Sequence, residues 1–288
     1  MEALSTSVFM RTLHAGPFRL SLDRPLIMGI VNVSPDSFSD GGHFGSVQAA
    51  IDHGLELAHR GADVLDIGGE STRPGAAWVS VDEEKRRVLP VIEALAKAGL
   101  VVSVDTRKPE VMQAALAAGA AMVNDVMALR APGALEAVAA SEAAVCLMHM
   151  QGEPQTMQQS PHYADVVGEV GRFLDERVES CVQAGIASNR IVIDPGFGFG
   201  KSLAHNLTLL KNLARLAAGE VPVMVGMSRK SMLGALTGRG LGEREFAGVA
   251  AHLLAVTQGA RLLRVHDVAA IRDALAVWNA MEKLEDGT

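Results

Sequence analysis

Eight short apolar runs recur along the chain, and each stops at a polar or glycine-rich residue: Leu26–Val33, Ala62–Ile67, Leu100–Asp105, Ala120–Asp125, Ala143–His149, Arg190–Asp194, Val221–Gly226 and Arg261–His266. Runs of this length, bounded in this way, read as strands buried on both faces. Stretches with helical spacing separate them, so strand and helix alternate almost throughout. That is the pattern of an α/β chain closed into a TIM (β/α)8 barrel. Ser46 is placed to cap the first helix, with Ile51, Leu55, Leu57 and Ala58 as its inward stripe and Gly61 as its stop. Ser80-Val81-Asp82-Glu83 has capping-box spacing before a second helix that ends ahead of Gly99, and Pro109 and Gly119 bracket a third. Later helices are predicted over Ala164–Gly185, Ser202–Gly219, Ala247–Gly259 and Val268–Leu284, with a glycine-rich crossover carrying a short helix between Ser228 and Glu245. Alternation in Phe18–Pro25 predicts a short N-terminal β-hairpin, at about residues 16–25, against the barrel floor. The barrel is expected from about residue 26 to 284, within a single domain spanning 1–288.

Two loops, Ser34–Gly45 and Gly68–Val79, are longer and richer in glycine, proline and polar residues than connections need, the composition of active-site covers. The chain is 49% hydrophobic but only 4% aromatic, so its core must be built from aliphatic residues and methionine. No apolar run approaches the roughly 18 residues that span a bilayer, and the N-terminus lacks a basic segment followed by an apolar one. The expectation is a cytoplasmic protein that does not engage membranes. A net charge of −7 argues against a general nucleic-acid binder. Cys146 and Cys181 lack metal or redox spacing and read as buried thiols.

In a barrel of this kind the first polar residues after each strand share one mouth. That face would gather Asn32, Ser71, Thr72, Arg73, Asp105, Arg107, Asn124, Asp194, Lys201, Arg229, Lys230, Arg264 and His266. Asp105, Asn124 and Asp194 close three separate strands, and two carboxylates with an amide suit the hydrogen-bonding edge of a polar heterocycle. Arg264 and His266 flank Val265, so alternation sends both to one side. With Asn32, Thr72 and Arg73 they suit a phosphorylated group, and the Asn and Thr oxygens suit a hard cation such as Mg2+. Asp194-Pro-Gly-Phe-Gly-Phe-Gly-Lys201 lacks Walker spacing; its glycines would let backbone approach a flat ligand, with Phe197 or Phe199 as a wall and the other in the core. Lys230 reads as a Schiff-base nucleophile, a cationic clamp or a surface charge.

Asn32-Val-Ser-Pro-Asp-Ser-Phe-Ser-Asp40, Asp66-Ile-Gly-Gly-Glu-Ser-Thr-Arg-Pro-Gly75, Asp194–Lys201, Ser228-Arg-Lys-Ser231 and Arg264-Val-His266 together resemble the dihydropteroate synthase family, in the family's order and from about Leu26 to the last helix. Ser34 stands where the family frequently has threonine, which keeps the hydroxyl. The resemblance implies transfer of the 7,8-dihydropterin-6-ylmethyl group from 6-hydroxymethyl-7,8-dihydropterin diphosphate to p-aminobenzoate, giving 7,8-dihydropteroate and pyrophosphate. It implies that Asp105, Asn124 and Asp194 hold the pterin edge, with Lys230 on its ring and Arg264 along its plane. Asn32, Thr72, Arg264 and His266 would hold the diphosphate, with Asn32 near Mg2+. Phe38, Asp40, Arg73, Pro74, Phe199, Lys230 and Ser231 would shape the p-aminobenzoate pocket, with Asp40, Lys230, Arg264 and His266 assisting the chemistry. A homodimer through late helices is also implied.

Three alternatives stand beside this. A pterin-dependent methyltransferase would share the acidic strand ends without a diphosphate site. A catalytically silent pterin binder would have a damaged loop signature or lack Lys230. A Schiff-base aldolase would use Lys230 as nucleophile.

Overall fold

The computed structural model describes residues 12–33, 42–71, 78–153 and 156–285. An antiparallel hairpin, β1 (Thr12–Ala15) and β2 (Phe18–Ser21), precedes eight parallel strands: β3 (Leu26–Asn32), β4 (Val64–Gly68), β5 (Val102–Asp105), β6 (Met122–Asp125), β7 (Ala144–Met148), β8 (Ile191–Asp194), β9 (Met224–Val225) and β10 (Leu262–Val265). Each of the eight apolar runs holds one of these strands, with β4 extending one residue past its run to Gly68. Neighbours pair in chain order from β3 to β8, β10 pairs with both β3 and β9, and a parallel bridge between Ile193 and Val223 closes the ring. The helices are α1 (Gly42–His59), α2 (Val81–Lys97), α3 (Pro109–Ala117), α4 (Ala134–Ala139), α5 (Val166–Gln183), α6 (Leu203–Lys211), α7 (Ala214–Ala217), α8 (Ser231–Thr237), α9 (Glu245–Thr257) and α10 (Val268–Glu285).

Alternation along each strand sorts the core into two compartments. Outward residues such as Ile27, Leu65, Ile67, Val104, Val145 and Val225 pack under the helices. Inward residues Met28, Val64, Met122, Ala144, Val192, Met224 and Leu262 fill the barrel floor together with Leu13, Ala15 and Leu22 of the hairpin segment. Full burial of a Leu or Met side chain is worth roughly 1.5–3 kcal/mol. The hairpin is therefore a plug, held by the apolar residues it inserts, and it begins at Thr12 rather than near residue 16.

Several expected boundaries shift for local reasons. Helix α1 starts at Gly42, so Ser46 lies inside it and the first loop stops short of Gly42. Its inward stripe runs through Ala50, Gly54 and Leu57, with Ile51 and Ala58 packed beside it; a Cβ at Gly54 would come within 2.8 Å of Leu95, and Leu55, one residue past that line, is 43% exposed. Ser80 caps α2 by accepting from the Glu83 amide, while the Glu83 carboxylate pairs with Arg86 and Arg87. The segment 202–219 is two helices, broken where Asn212 leaves helical geometry. Helix α4, which the periodicity did not reveal, has only six residues, too few for a repeat to show. Among the described residues, no helix is long and apolar enough to cross a membrane.

Candidate active site

Climbing β4, β6, β8 and β10 toward their C-terminal ends, the inward position turns from apolar to polar, and β5 is polar at both inward positions. On β4 the series is Val64, Asp66, Gly68; β5 carries Ser103 and then Asp105; β6 Met122 and then Asn124; β8 Val192 and then Asp194; β10 Leu262 and then Arg264, with His266 just beyond. Strand register places Asn32 opposite Gly68, Gly68 opposite Asp105, and Asp105 opposite Asn124, so one rung crosses four strands. A Cβ at Gly68 would lie 3.7 Å from both Asn32 Oδ1 and Asp105 Cβ, so glycine leaves space between those two side chains.

Arg264 organises this rung. Its Nε donates to Asp66 Oδ2 and its Nη2 to Asp105 Oδ2, each at 2.6 Å, which fixes the plane of the guanidinium. Asn124 Nδ2 donates to the same Asp66 oxygen at 3.0 Å. Asp66 is thus the hub that joins Asn124 to Arg264, yet it escaped the reading of strand ends because it lies two residues below one. The signal was present in the alternation: Asp66 shares its inward side with Gly68 and cross-strand neighbour Ser103. Burial, reinforced by Asp66, pushes the Asp105 carboxyl from the ordinary 3.8 up to about 7, although Arg264 pulls it down. Burial would weaken the Arg264 cation, but Asp66 and Asp105 outweigh it and strengthen its hold on the proton.

Across the mouth, Asp194 is buried and its Oδ1 accepts the Gly196 amide at 2.7 Å. Burial raises its carboxyl, and Lys230 opposes the rise. Burial likewise brings the Lys230 ammonium down to about 8, against the pull of Asp194. Lys230 Nζ donates to the Phe197 carbonyl and lies 4.5 Å from the centroid of the Phe199 ring. Phe197 itself is fully buried and is the core residue of the two, whereas Phe199 is half-buried. Arg229, just before Lys230, has φ +59°, a left-handed conformation that a non-glycine residue adopts at a cost. Its pairing with Asp267 at 2.6 Å and the Arg244 contact to its carbonyl hold that turn, which sends Lys230 into the mouth. Ser231 follows as the exposed first residue of α8. Ser228 Oγ meets both the amide and Nδ1 of His266, orienting that ring at the rim.

Asn32, Asp105, Asn124, Asp194, Phe199, Lys230, Ser231, Arg264 and His266 therefore belong to strand ends and loops of one barrel opening. Phe38, Asp40, Thr72, Arg73 and Pro74 lie outside the described residues. Three other cations of the expected face are occupied elsewhere. Arg229 pairs with Asp267; Arg107 reaches Glu70 at 3.5 Å; Lys201 is buried beneath the glycine loop. Lys108, which the strand-end reading did not single out, is clamped between Glu70 and Glu84, and Glu70 also accepts the Val79 amide, tying together residues on both sides of 72–77.

Fold and site define a (β/α)8 enzyme whose mouth combines an acidic hydrogen-bonding rung with a cationic rim. A family profile described as "Pterin binding enzyme" matches residues 28–266. The dihydropteroate synthase of Escherichia coli K12 is 51% identical over 262 residues, covering 91% of this chain and 93% of that protein. A solved structure of Xanthomonas albilineans dihydropteroate synthase with 4-aminobenzoic acid superposes with a TM-score of 0.90 at 59% identity, covering 95% of this chain and 98% of the other. The same enzyme in complex with 7,8-dihydropteroate gives 0.86 at 57% identity, covering 94% and 98%. The chain belongs to the dihydropteroate synthase family, transferases that form dihydropteroate.

Proposed function

We propose that this chain joins 6-hydroxymethyl-7,8-dihydropterin diphosphate to p-aminobenzoate, forming 7,8-dihydropteroate and pyrophosphate in the cytoplasm. The observation that carries the reading is the convergence of Asp105, Asn124 and Asp194 with Arg264 and His266 at one opening. Asp105, Asn124 and Asp194 hold the pterin edge, Lys230 reaches its ring and Arg264 lies along its plane. Asn32, Thr72, Arg264 and His266 take the diphosphate. Phe38, Arg73, Pro74, Phe199, Lys230 and Ser231 frame p-aminobenzoate.

The chemistry asks for charge stabilisation rather than a strong base. The C–O bond to diphosphate breaks first, its electron pair leaving with the pyrophosphate; the aniline nitrogen then attacks the cationic methylene and afterwards loses a proton. Arg264 and His266 stabilise the departing charge, and the carboxylates, with Asp40, favour the cationic centre. Asn32 fits Mg2+: its amide is a hard oxygen donor on an exposed strand end beside Gly68, and that ion characteristically takes few protein ligands and completes its shell with phosphate and water. When bound, Mg2+ supplies charge neutralisation at the diphosphate. Exposed Phe246, Leu254, Val277 and Met281 on α9 and α10 support the reading of a homodimer.

The direct test is pyrophosphate release from the pterin diphosphate with and without p-aminobenzoate, in Mg2+ and then in chelator. Release is expected to need Mg2+, p-aminobenzoate is expected to bind only after the pterin diphosphate or with pyrophosphate present, and a sulfonamide of like shape is expected to compete with it. Tight binding of p-aminobenzoate to the free protein would contradict the order.

Acidity gives a second check. With its folded value near 7, above the ordinary 3.8, Asp105 contributes stability that is complete below that ordinary value and is lost as pH rises through 7. A pterin N–H donating to the carboxylate reverses the sign, so binding strengthens as pH rises through 7. The profile of kcat/KM for the pterin substrate should therefore show an acid limb near 7. Asp66→Asn removes one charge that raises Asp105, and the limb should move to lower pH; an unmoved limb counts against Asp105 as its source.

A further inference from the structure

The segment Asp194–Lys201 contains glycine at every second position from 196 to 200, with φ values of +68°, +79° and +62°. Glycine tolerates these angles but gives the loop no rigidity of its own. The loop nonetheless lies hard against the segment after β7: a Cβ at Gly196 would stand 2.0 Å from the His149 carbonyl, and one at Gly200 would stand 2.4 Å from that of Gln151. Such a path turns several carbonyls inward, where each needs a donor.

Lys201 supplies it. The side chain is only 3% exposed, and its Nζ lies 3.0 Å from the Gly196 carbonyl, 3.0 Å from the Phe199 carbonyl and 2.9 Å from His149 Nδ1. Burial first, then the Lys201 charge, takes the His149 imidazole down to about 3, so it is neutral and its Nδ1 can accept. Burial also pulls the Lys201 ammonium toward deprotonation, with Asp194 opposing. The two carbonyl contacts require N–H donation from Nζ, and the contact with His149 Nδ1 runs in the direction its tautomer sets, so Lys201 can serve all three. From the other side, Asn206 Oδ1 accepts the Gly198 amide at 2.8 Å while its Nδ2 donates to the Ser202 carbonyl at 2.8 Å. The product of this bracing is the Phe199 ring, held where Lys230 Nζ stands 4.5 Å from its centroid.

We infer that Lys201 is a positioning residue for the second substrate: its Nζ, with Asn206 as counter-brace, locks the glycine loop so that Phe199 forms a fixed wall for p-aminobenzoate. Lys201 touches neither substrate and acts through Phe199. The inference rests on the assignment of Phe199 to the p-aminobenzoate pocket. Asp194 belongs to β8 and touches the braced loop through the Gly196 amide alone, so the pterin edge depends more on the sheet than on this brace.

The test is steady-state kinetics in both substrates on Lys201→Met and Asn206→Ala, with Phe199→Ala as reference. Lys201→Met is expected to raise KM for p-aminobenzoate about tenfold or more, with KM for the pterin diphosphate within about threefold of the parent. Sulfonamide inhibition constants should rise in parallel, and Asn206→Ala should show the same split in smaller measure. Equal rises in both KM values, or no rise in either variant, would overturn the inference. If Lys201→Met does not fold, Asn206→Ala decides by the same split. A rise in Phe199→Ala alone rejects the role of Lys201 and keeps the pocket; an unmoved KM in Phe199→Ala rejects the pocket itself, and the inference with it.

Discussion

Replacing Arg264 with methionine is expected to lower kcat/KM for the pterin diphosphate by about three orders of magnitude and to destabilise the fold as well. The catalytic part follows from the loss of a preorganised cation where the proposed reaction develops negative charge, an effect on the order of a hundred- to a thousandfold for a single donor, deepened in the proposed binding mode because the same side chain lies along the pterin. The stability part follows from the two carboxylates left behind. Asp66 is fully buried and Asp105 nearly so, and both now pair with Arg264 at 2.6 Å. Removing one partner of a buried ion pair typically costs about 3–5 kcal/mol. Relief comes with acid, since protonating Asp105 discharges part of the stranded pair. The variant should therefore lose stability more steeply than the parent as pH rises through 7, where Asp105 already titrates. Thermal unfolding at several pH values, with initial rates at saturating p-aminobenzoate, measures both parts. A variant as stable as the parent at pH 8 would show that Arg264 does not hold these carboxylates.

The second large effect is expected at Asp194. Asp194→Asn is close in shape, and its amide oxygen can still accept the Gly196 N–H, so the local turn survives. In the proposed binding mode it turns one acceptor of the pterin edge into an N–H that faces the ligand's own N–H groups. Sites built to pair buried hydrogen-bonding groups discriminate by several orders of magnitude once the pairing fails. We expect kcat/KM for the pterin diphosphate to fall about a thousandfold. The substitution also removes the carboxylate that sustains the charge of Lys230, so Lys230 should titrate below the value near 8 that it has now. An alkaline limb moving to lower pH in the residual activity would separate this effect from a general loss of structure. Retention of more than about a tenth of the parent efficiency would remove Asp194 from the recognition of pterin.

Much of this arrangement was legible in one dimension because a parallel barrel imposes two strict rules on its sequence. Strands buried on both faces must be continuous apolar runs, and the residues closing them must share one mouth; the eight runs, and Asp105, Asn124, Asp194, Arg264 and His266 at their ends, follow from these rules alone. Both rules act locally, through side-chain alternation and the cost of burying polar groups. What they do not encode is which cation meets which partner. Lys201 and Lys230 both follow strand-end loops and both read as mouth residues, yet one is consumed by two loop carbonyls and a histidine, while the other gives one bond to the Phe197 carbonyl and lies over the Phe199 ring. Phe197 and Phe199 are two residues apart in one motif, and only packing makes the first fully buried and the second half-buried. Asp66 sits in mid-strand, and its importance comes from Arg264, 198 positions away.

The sequence by itself determined the architecture, the floor-to-mouth polarity of the barrel and the set of residue types gathered at its opening, because burial and periodicity act on each strand independently. Tertiary structure alone decided the pairings: Asp66 as hub, Lys201 as brace, Arg229 spent on Asp267 and Lys230 delivered to Phe199. Those choices depend on distances of a few ångströms between segments far apart in the chain, where electrostatic and hydrogen-bond energies change most steeply.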